Sequence, residues 1–295
     1  MTVVAADRAA FRTRKSAGYW GAAWRRFKQN RMALASGVFV VLLILTAILA
    51  PLIAPYGIDD QHPESGYQKP SARFILGTDI LGRDMFTRVL FSLRNSLTVA
   101  FCAQCVALAI GLIFGSIAGY RGGLIDSLIM RIVDIGYAFP NTLLQIILVT
   151  VMGRGLFPVF LAIGLTQWAG HARFVRGQLL SLRQAEYVEA ARALGAKDAH
   201  IIRRYLLPNT LGPIIIGFMM GIPTAMITEG ALAFIGLGLR PPMTSFGNLL
   251  NIGNQALLGA PHTLVYPAVI FALVLLSFNF LGDGLRDALN PRSEV

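Results

Sequence analysis

The chain has 295 residues, 55% of them hydrophobic and 14% charged, with a formal net charge of +11. That composition excludes an ordinary soluble domain, because its uncharged runs reach the roughly 20 residues needed to cross a bilayer. The excess positive charge does not mark a nucleic-acid binder either, since it is spread over a tail and several loops rather than gathered on one face of a folded soluble surface.

In chain order, residues 1–31 form a basic tail in which Trp20, Trp24 and Phe27 are interleaved. Tyr19 to Lys28 fits an interfacial helix on the inner leaflet, and equally a tail ending in an aromatic anchor. The leader is too long for a typical cleaved signal peptide, so the next apolar run is expected to stay as the first span, residues 32–54. Residues 55–93 are polar and rich in turns, with Pro55, Gly57, Pro63, Gly66 and Pro70, and are predicted as an external loop. With charged residues as fences, the uncharged runs are Met32–Ile58, Asn95–Tyr120, Ile135–Gly153, Gly155–Ala172, Tyr205–Thr228 and Pro241–Gly282. Pro241, Pro242 and Pro261 break the last of these, giving an external loop to His262 and a span from about Thr263. The expectation is an all-α integral membrane protein of about six transmembrane helices. Five of them lie in residues 94–285, and 286–295 form a C-terminal tail.

Orientation follows from charge. Apart from Lys69, Arg73, Arg83, Arg88, Arg94, Arg154 and Arg240, every lysine and arginine falls on one side of a six-span arrangement. The positive-inside rule makes that side, and both termini, cytoplasmic.

Several stretches carry more specific information. In Leu76-Gly77-Thr78-Asp79-Ile80-Leu81-Gly82-Arg83-Asp84, Thr78 or Asp79 suits a turn cap and Gly82 a positive φ. The second span holds Cys102 and Cys105, read as packing residues because no His or Cys companion stands near them. It ends in Gly111, Gly115 and Gly119, a small-residue ridge for close helix approach. Arg131 and Asp134 stand three apart and are expected to pair on one helix face. The fifth run contains Pro213 and Pro223, expected to kink it, and leads to Glu229, a carboxylate that must face protein or water. No Gly-rich Lys-Ser/Thr phosphate loop occurs, and His62, His171, His200 and His262 have no metal-ligand spacing. No cofactor is expected on this chain.

The longest polar insertion of the second half lies in residues 173–208. From Glu186 to Leu194, strong helix formers place Tyr187, Ala190, Ala191 and Leu194 on one face. Gly195 fits a left-handed C-terminal cap, Asp198 the first turn of a second helix, and Pro208 is predicted to limit that helix. Glu189-Ala190-Ala191, then Gly195 and Leu207-Pro208, resemble the "EAA" loop of permease subunits of bacterial ABC importers, departing at Tyr205, where many relatives have histidine. Residues 76–84 resemble the "LGTDxLGRD" signature of dipeptide, oligopeptide and nickel permeases. Gly119 to Pro140 resembles "GYxGG…MRxVDxxxAxP". Thr228 to Gly238 resembles "TEAxLxFLGLG", and Phe278 to Arg292 resembles "FNLLGDGLRDALDPR". Pro241 to Gly247 is similar to "PPxPSWG", with Thr244 for proline and Phe246 for tryptophan.

The resemblance implies a type I ABC importer permease fold, with Glu189, Ala190, Ala191, Gly195 and Pro208 in an ATPase-coupling loop. It also implies a second related permease, two cytoplasmic ATP-binding subunits and an external solute-binding protein, with hydrolysis on the ATPase subunits and none on this chain. The solute would be a di- or oligopeptide, a nickel complex or another small solute. Gly77, Thr78, Asp79, Gly82, Arg83 and Asp84 either lock the external segment or grip solute. Glu229 and Asp134 either line the path or bond to neighbouring helices. A secondary transporter driven by an ion gradient would use those two carboxylates as carriers and would be expected to show an inverted repeat, which is not evident. A membrane scaffold would leave the coupling-type loop unexplained.

Overall fold

A computed structural model describes residues 19–289 of the chain. The remainder of the basic tail, residues 1–18, and residues 290–295, which include Asn290-Pro291-Arg292, lie outside the described residues.

Helix α1 (Tyr19–Gln29) seats Ala23 and Phe27 against protein and leaves Trp24 exposed, with Lys28 over its ring at 5.1 Å. Asn30 separates it from α2 (Arg31–Ile53), whose first turn it caps by accepting from the Ala33 N–H at 3.1 Å. At 1.5 Å per residue the 23 residues of α2 span roughly 34 Å, enough for the hydrocarbon layer. Its small residues Ala33, Ser36, Ala47 and Ala50 turn inward, whereas Val41, Ile48 and Leu52 are exposed, as on a helix with one protein face and one lipid face.

Helix α3 (Met85–Arg121) is longer than its uncharged run, because Asp84 caps it by accepting from the Thr87 N–H at 2.7 Å. The external loop thus ends at residue 84 rather than 93. Gly111, Gly115 and Gly119 form the expected ridge, against α6 (Leu156–Leu182). A Cβ at Gly115 would stand 2.5 Å from the Ala172 carbonyl oxygen, and one at Gly119 2.9 Å from that of Arg176.

The third expected span is not one rod. Helices α4 (Gly123–Ala138) and α5 (Asn141–Met152) meet at Phe139-Pro140 with a bend of 84°. Proline removes a donor and disfavours helix at the residue before it, so the break falls where the chemistry puts it. After α7 (Glu186–Ala193) and the single turn α8 (Asp198–Ile201), a π-helical segment Ile202–Leu206 runs directly into α9 (Leu207–Phe234). Pro208 therefore does not end a helix. It sits in the first turn of α9, where its missing N–H costs little, and the π segment absorbs the mismatch upstream through a bond from the Leu207 N–H to the Ile202 carbonyl. Pro213 and Pro223 lie inside α9, which continues through both.

The expected loop before the last span contains a helix, α10 (Phe246–Gln255), started by Ser245 and anchored by fully buried Phe246 stacked on Phe271 at 5.0 Å. The last span is α11 (His262–Leu289). Among the described residues, four helical runs are by length and composition apolar enough to cross a membrane, and the bent α4–α5 pair, taken as one span, makes a fifth. Helix α6 falls short because Thr166, Gln167, His171, Arg173 and Arg176 dilute it. It can carry them since α3, α4, α5 and α9 surround it.

Candidate functional site

The loop between α6 and α9 is built around a closed turn. Gly195 has φ +80°, the Ala196 N–H donates to the Ala191 carbonyl at 3.1 Å, and the Gly195 N–H donates to that of Arg192 at 3.0 Å. This is a complete Schellman cap, which the sequence anticipates at the glycine. The expected apolar stripe divides, however. Val188 and Ala191 turn inward onto a cluster with Val175, Leu179, Ile201 and Leu206, while Tyr187, Ala190 and Leu194 face out, Leu194 at 88% exposure. An eight-residue helix has too little cooperativity to stand alone, so this inner pair is what holds α7 to the spans.

The loop is also tied to the end of α3. The Tyr120 hydroxyl donates to Asp198 Oδ1 at 2.8 Å, and the Arg192 guanidinium lies 5.8 Å above the Tyr120 ring. An open cleft of about 730 Å³ lies there, lined by Arg121, Arg183 and Arg192 together with Glu189 and Asp198. Tyr205 is half-buried beside the Tyr187 ring at 6.4 Å and the His200 ring at 6.0 Å. Pro208 is exposed at the far end of the same loop.

Arg131 is not the partner of Asp134. Arg173 of α6 donates to Asp134 Oδ1 at 2.8 Å and lies 4.4 Å over the Tyr137 ring. Arg176 grips Asp126 through two nitrogens at 2.5 and 2.6 Å. Two arginines of one helix thus clamp two aspartates of another. Spacing along α4 alone does not show this, because the partners lie 39 and 50 residues away.

Glu229 is fully buried and accepts from the Ser96 hydroxyl at 3.0 Å, while Ser96 accepts from the Phe246 N–H at 3.3 Å. One carboxylate oxygen therefore links α9, α3 and the start of α10, while Glu229 Oε1 has no hydrogen-bond partner. In the loop before α3, Asp79 accepts from the N–H groups of Leu81 at 2.9 Å and Arg83 at 3.0 Å and from Arg83 Nε at 2.8 Å. Gly77 and Gly82 both take positive φ, Thr78 donates to the Ser65 carbonyl, and Thr78 and Asp79 are fully buried. Residues 77–84 thus form a hydrogen-bonded turn, with buried Arg88 reaching Asp79 at 3.7 Å and Thr244 at 3.4 Å.

A further set of polar residues escapes a search that looks only for charge. Gln145 Nε2 donates to Thr166 Oγ1 at 2.7 Å, Gln104 Nε2 donates to Gln167 Oε1 at 2.7 Å, and His171 Nε2 bonds Gln104 Oε1 at 2.9 Å. Their signal in the sequence is simply an amide or hydroxyl inside an uncharged run. Cys102 and Cys105 are free thiols on the α3 surface, half-buried and exposed respectively.

Residues 111–295 match the family model described as the binding-protein-dependent transport system inner membrane component, and residues 18–70 match the N-terminal transmembrane domain of oligopeptide transport permease C. The chain is 43% identical to the dipeptide transport system permease protein DppC of Bacillus subtilis, covering 95% of this chain and 88% of that protein. It is 39% identical to the oligopeptide transport system permease protein OppC of the same organism, over 95% and 92%. It is 41% identical to the glutathione transport system permease protein GsiD of Pectobacterium atrosepticum, over 92% and 91%. In fold it is similar to a chain of the inward-facing MetNI methionine ABC transporter, with a TM-score of 0.59 at 19% identity, covering 70% of this chain and 98% of that one. These likenesses establish that the chain belongs to the family of inner membrane components of binding-protein-dependent transport systems.

Proposed function

We propose that this chain is one half of a two-permease pore that carries di- or oligopeptides into the cytoplasm at the expense of ATP hydrolysed on two separate subunits. An external solute-binding protein delivers the peptide, and both termini lie in the cytoplasm. Helix α7 is the coupling element, with Tyr187, Ala190 and Leu194 as its docking face and Glu189 as a charged contact at its rim. The observation that carries this reading is the two-sided build of α7: an apolar face left open to solvent, on a helix fixed from behind by Val188, Ala191 and the Gly195 cap. An exposed apolar face on a rigid short element is what a partner groove requires. The peptide assignment follows the names of the relatives at about 40% identity. Glu229 acts as a structural tie, and residues 77–84 as a folded outer brace.

The test is uptake of a labelled dipeptide by proteoliposomes holding both permeases and both ATPases, with the binding protein outside. Uptake should need internal ATP on the ATPase side and survive collapse of proton and sodium gradients. Uptake that follows an ion gradient without ATP would sink the proposal. Transport of a nickel complex but no peptide would move the solute assignment alone.

A further inference from the structure

Beside the α4–α5 break lies a cavity of about 320 Å³ lined by Tyr137, Asn141, Thr142, Gln145, Gln167 and Thr228, among others. Its position is unexpected on energetic grounds. These residues belong to the uncharged runs read as spans, where hydrogen-bonding groups facing hydrocarbon would be costly. Yet the lining is amides, hydroxyls, glycines and one alanine, without one charged side chain.

Two independent features point to an occupant. The first turn of α5 contributes Asn141 and Thr142 to the wall, and its N-cap position is Pro140, which supplies no side-chain cap. Orphan N–H groups and the positive helix end there favour a carbonyl or carboxylate oxygen, as in the broken helices of other transport proteins. The second feature is Gln145, only 2% exposed, whose Oε1 has no hydrogen-bond partner. Thr166 donates its hydroxyl to the Ala162 and Ile163 carbonyls at 3.0 and 2.9 Å, so its oxygen must accept, and Gln145 Nε2 is held to it. An unmade acceptor bond at a buried site is filled only when a donor arrives.

We infer that this cavity is a subsite for the main chain of the transported peptide, Gln145 Oε1 accepting a peptide or amino N–H while the first turn of α5 receives a carbonyl or carboxylate oxygen. The inference rests on the reading of the chain as a peptide permease and narrows it. A lining of neutral donors and acceptors recognises the backbone common to all peptides and offers no counter-charge to particular side chains. A free metal cation would find no anionic ligand there.

The experiment uses the complete assembly in proteoliposomes with saturating peptide-loaded binding protein. Gln145→Leu should cut dipeptide uptake about tenfold and exposed Thr142→Val about threefold, as expected for hydrogen bonds made to the passing solute. Membrane abundance and co-purification of the ATPase subunits serve as the check that both variants assemble. Thr142→Cys, in a chain lacking Cys102 and Cys105, should be alkylated by a bromoacetyl-dipeptide during turnover and protected by excess unlabelled dipeptide. Wild-type uptake in both variants overturns the inference and leaves the peptide permease standing. So does a Thr142→Cys thiol that is shielded by the second permease in every nucleotide state, which would make the cavity a subunit contact. Absence of peptide uptake by the wild-type assembly overturns the function and the subsite together.

Discussion

Replacement of Gly195 separates backbone conformation from surface chemistry. The residue sits at φ +80°, and a Cβ built on it meets nothing within 4 Å, so any penalty is conformational and none is steric. An L-residue in this region costs roughly 1–2 kcal/mol, towards the upper end for a β-branched side chain, whereas asparagine adopts it readily. Since 1.4 kcal/mol is a factor of ten, Gly195→Val lowers the equilibrium constant for closing the cap by about ten- to thirtyfold and weakens the bond that ends the eight-residue α7. The spans, packed by their own glycine ridge, are untouched. Gly195→Val should thus reach the membrane at near-normal abundance, lose most ATPase co-purification and take up peptide at a tenth of the normal rate or less, while Gly195→Asn stays within about twofold of wild type. Equal behaviour of the two variants, whether both active or both dead, would refute the argument from backbone conformation.

The charge asymmetry predicts topology: in a chain lacking Cys102 and Cys105, thiols at Glu64 and Met243 should react with an impermeant reagent outside spheroplasts, and one at Lys197 should not. Reaction at Lys197 would reverse the orientation. The two α4–α6 clamps differ in burial, the Asp126 side chain being 13% exposed and that of Asp134 62%, so Asp126→Asn should cost about 1–3 kcal/mol and Asp134→Asn under about 1 kcal/mol. Thermal unfolding in detergent reads the order, and its reversal would show that the Asp126 pair is not the stabilising one. Because Glu229 serves as an acceptor for Ser96, Glu229→Gln should keep at least half of the uptake, whereas Glu229→Leu, which orphans the Ser96 hydroxyl, should reduce abundance several-fold. Complete loss of transport in Glu229→Gln at normal abundance would assign the carboxylate to the path instead.

Features governed by neighbours along the chain were legible before any coordinates. The Gly195 cap, the positive φ of Gly82 and the Gly111–Gly115–Gly119 ridge each follow from what one residue type permits locally. Features set by neighbours across space were not. Arg131 has the right spacing for Asp134, but Arg173 on another helix has the right reach. The stripe on α7 identifies an amphipathic helix, yet only the placement of Val175 and Leu179 decides that Ala191 turns inward and Leu194 outward. Pro208 reads as a stop signal because the π segment that accommodates it has no compositional mark. The polar cavity was missed for a related reason: Gln145, Gln167 and Thr228 are far apart in sequence and neutral, and a scan that fences spans by charge passes over them.

Helix α3 has a property that its 37 residues and its two ends jointly confer. Its N-terminal end starts from Asp84, in the brace that Asp79 and Arg88 close, and its C-terminal end holds the loop through Tyr120 and Asp198. Between them lies an unbroken rod of roughly 56 Å. A tilt of about 5° in such a lever carries its far tip about 5 Å, close to the rise of one helical turn. A displacement at one end of α3 would therefore reach the other end with no break in the helix between them.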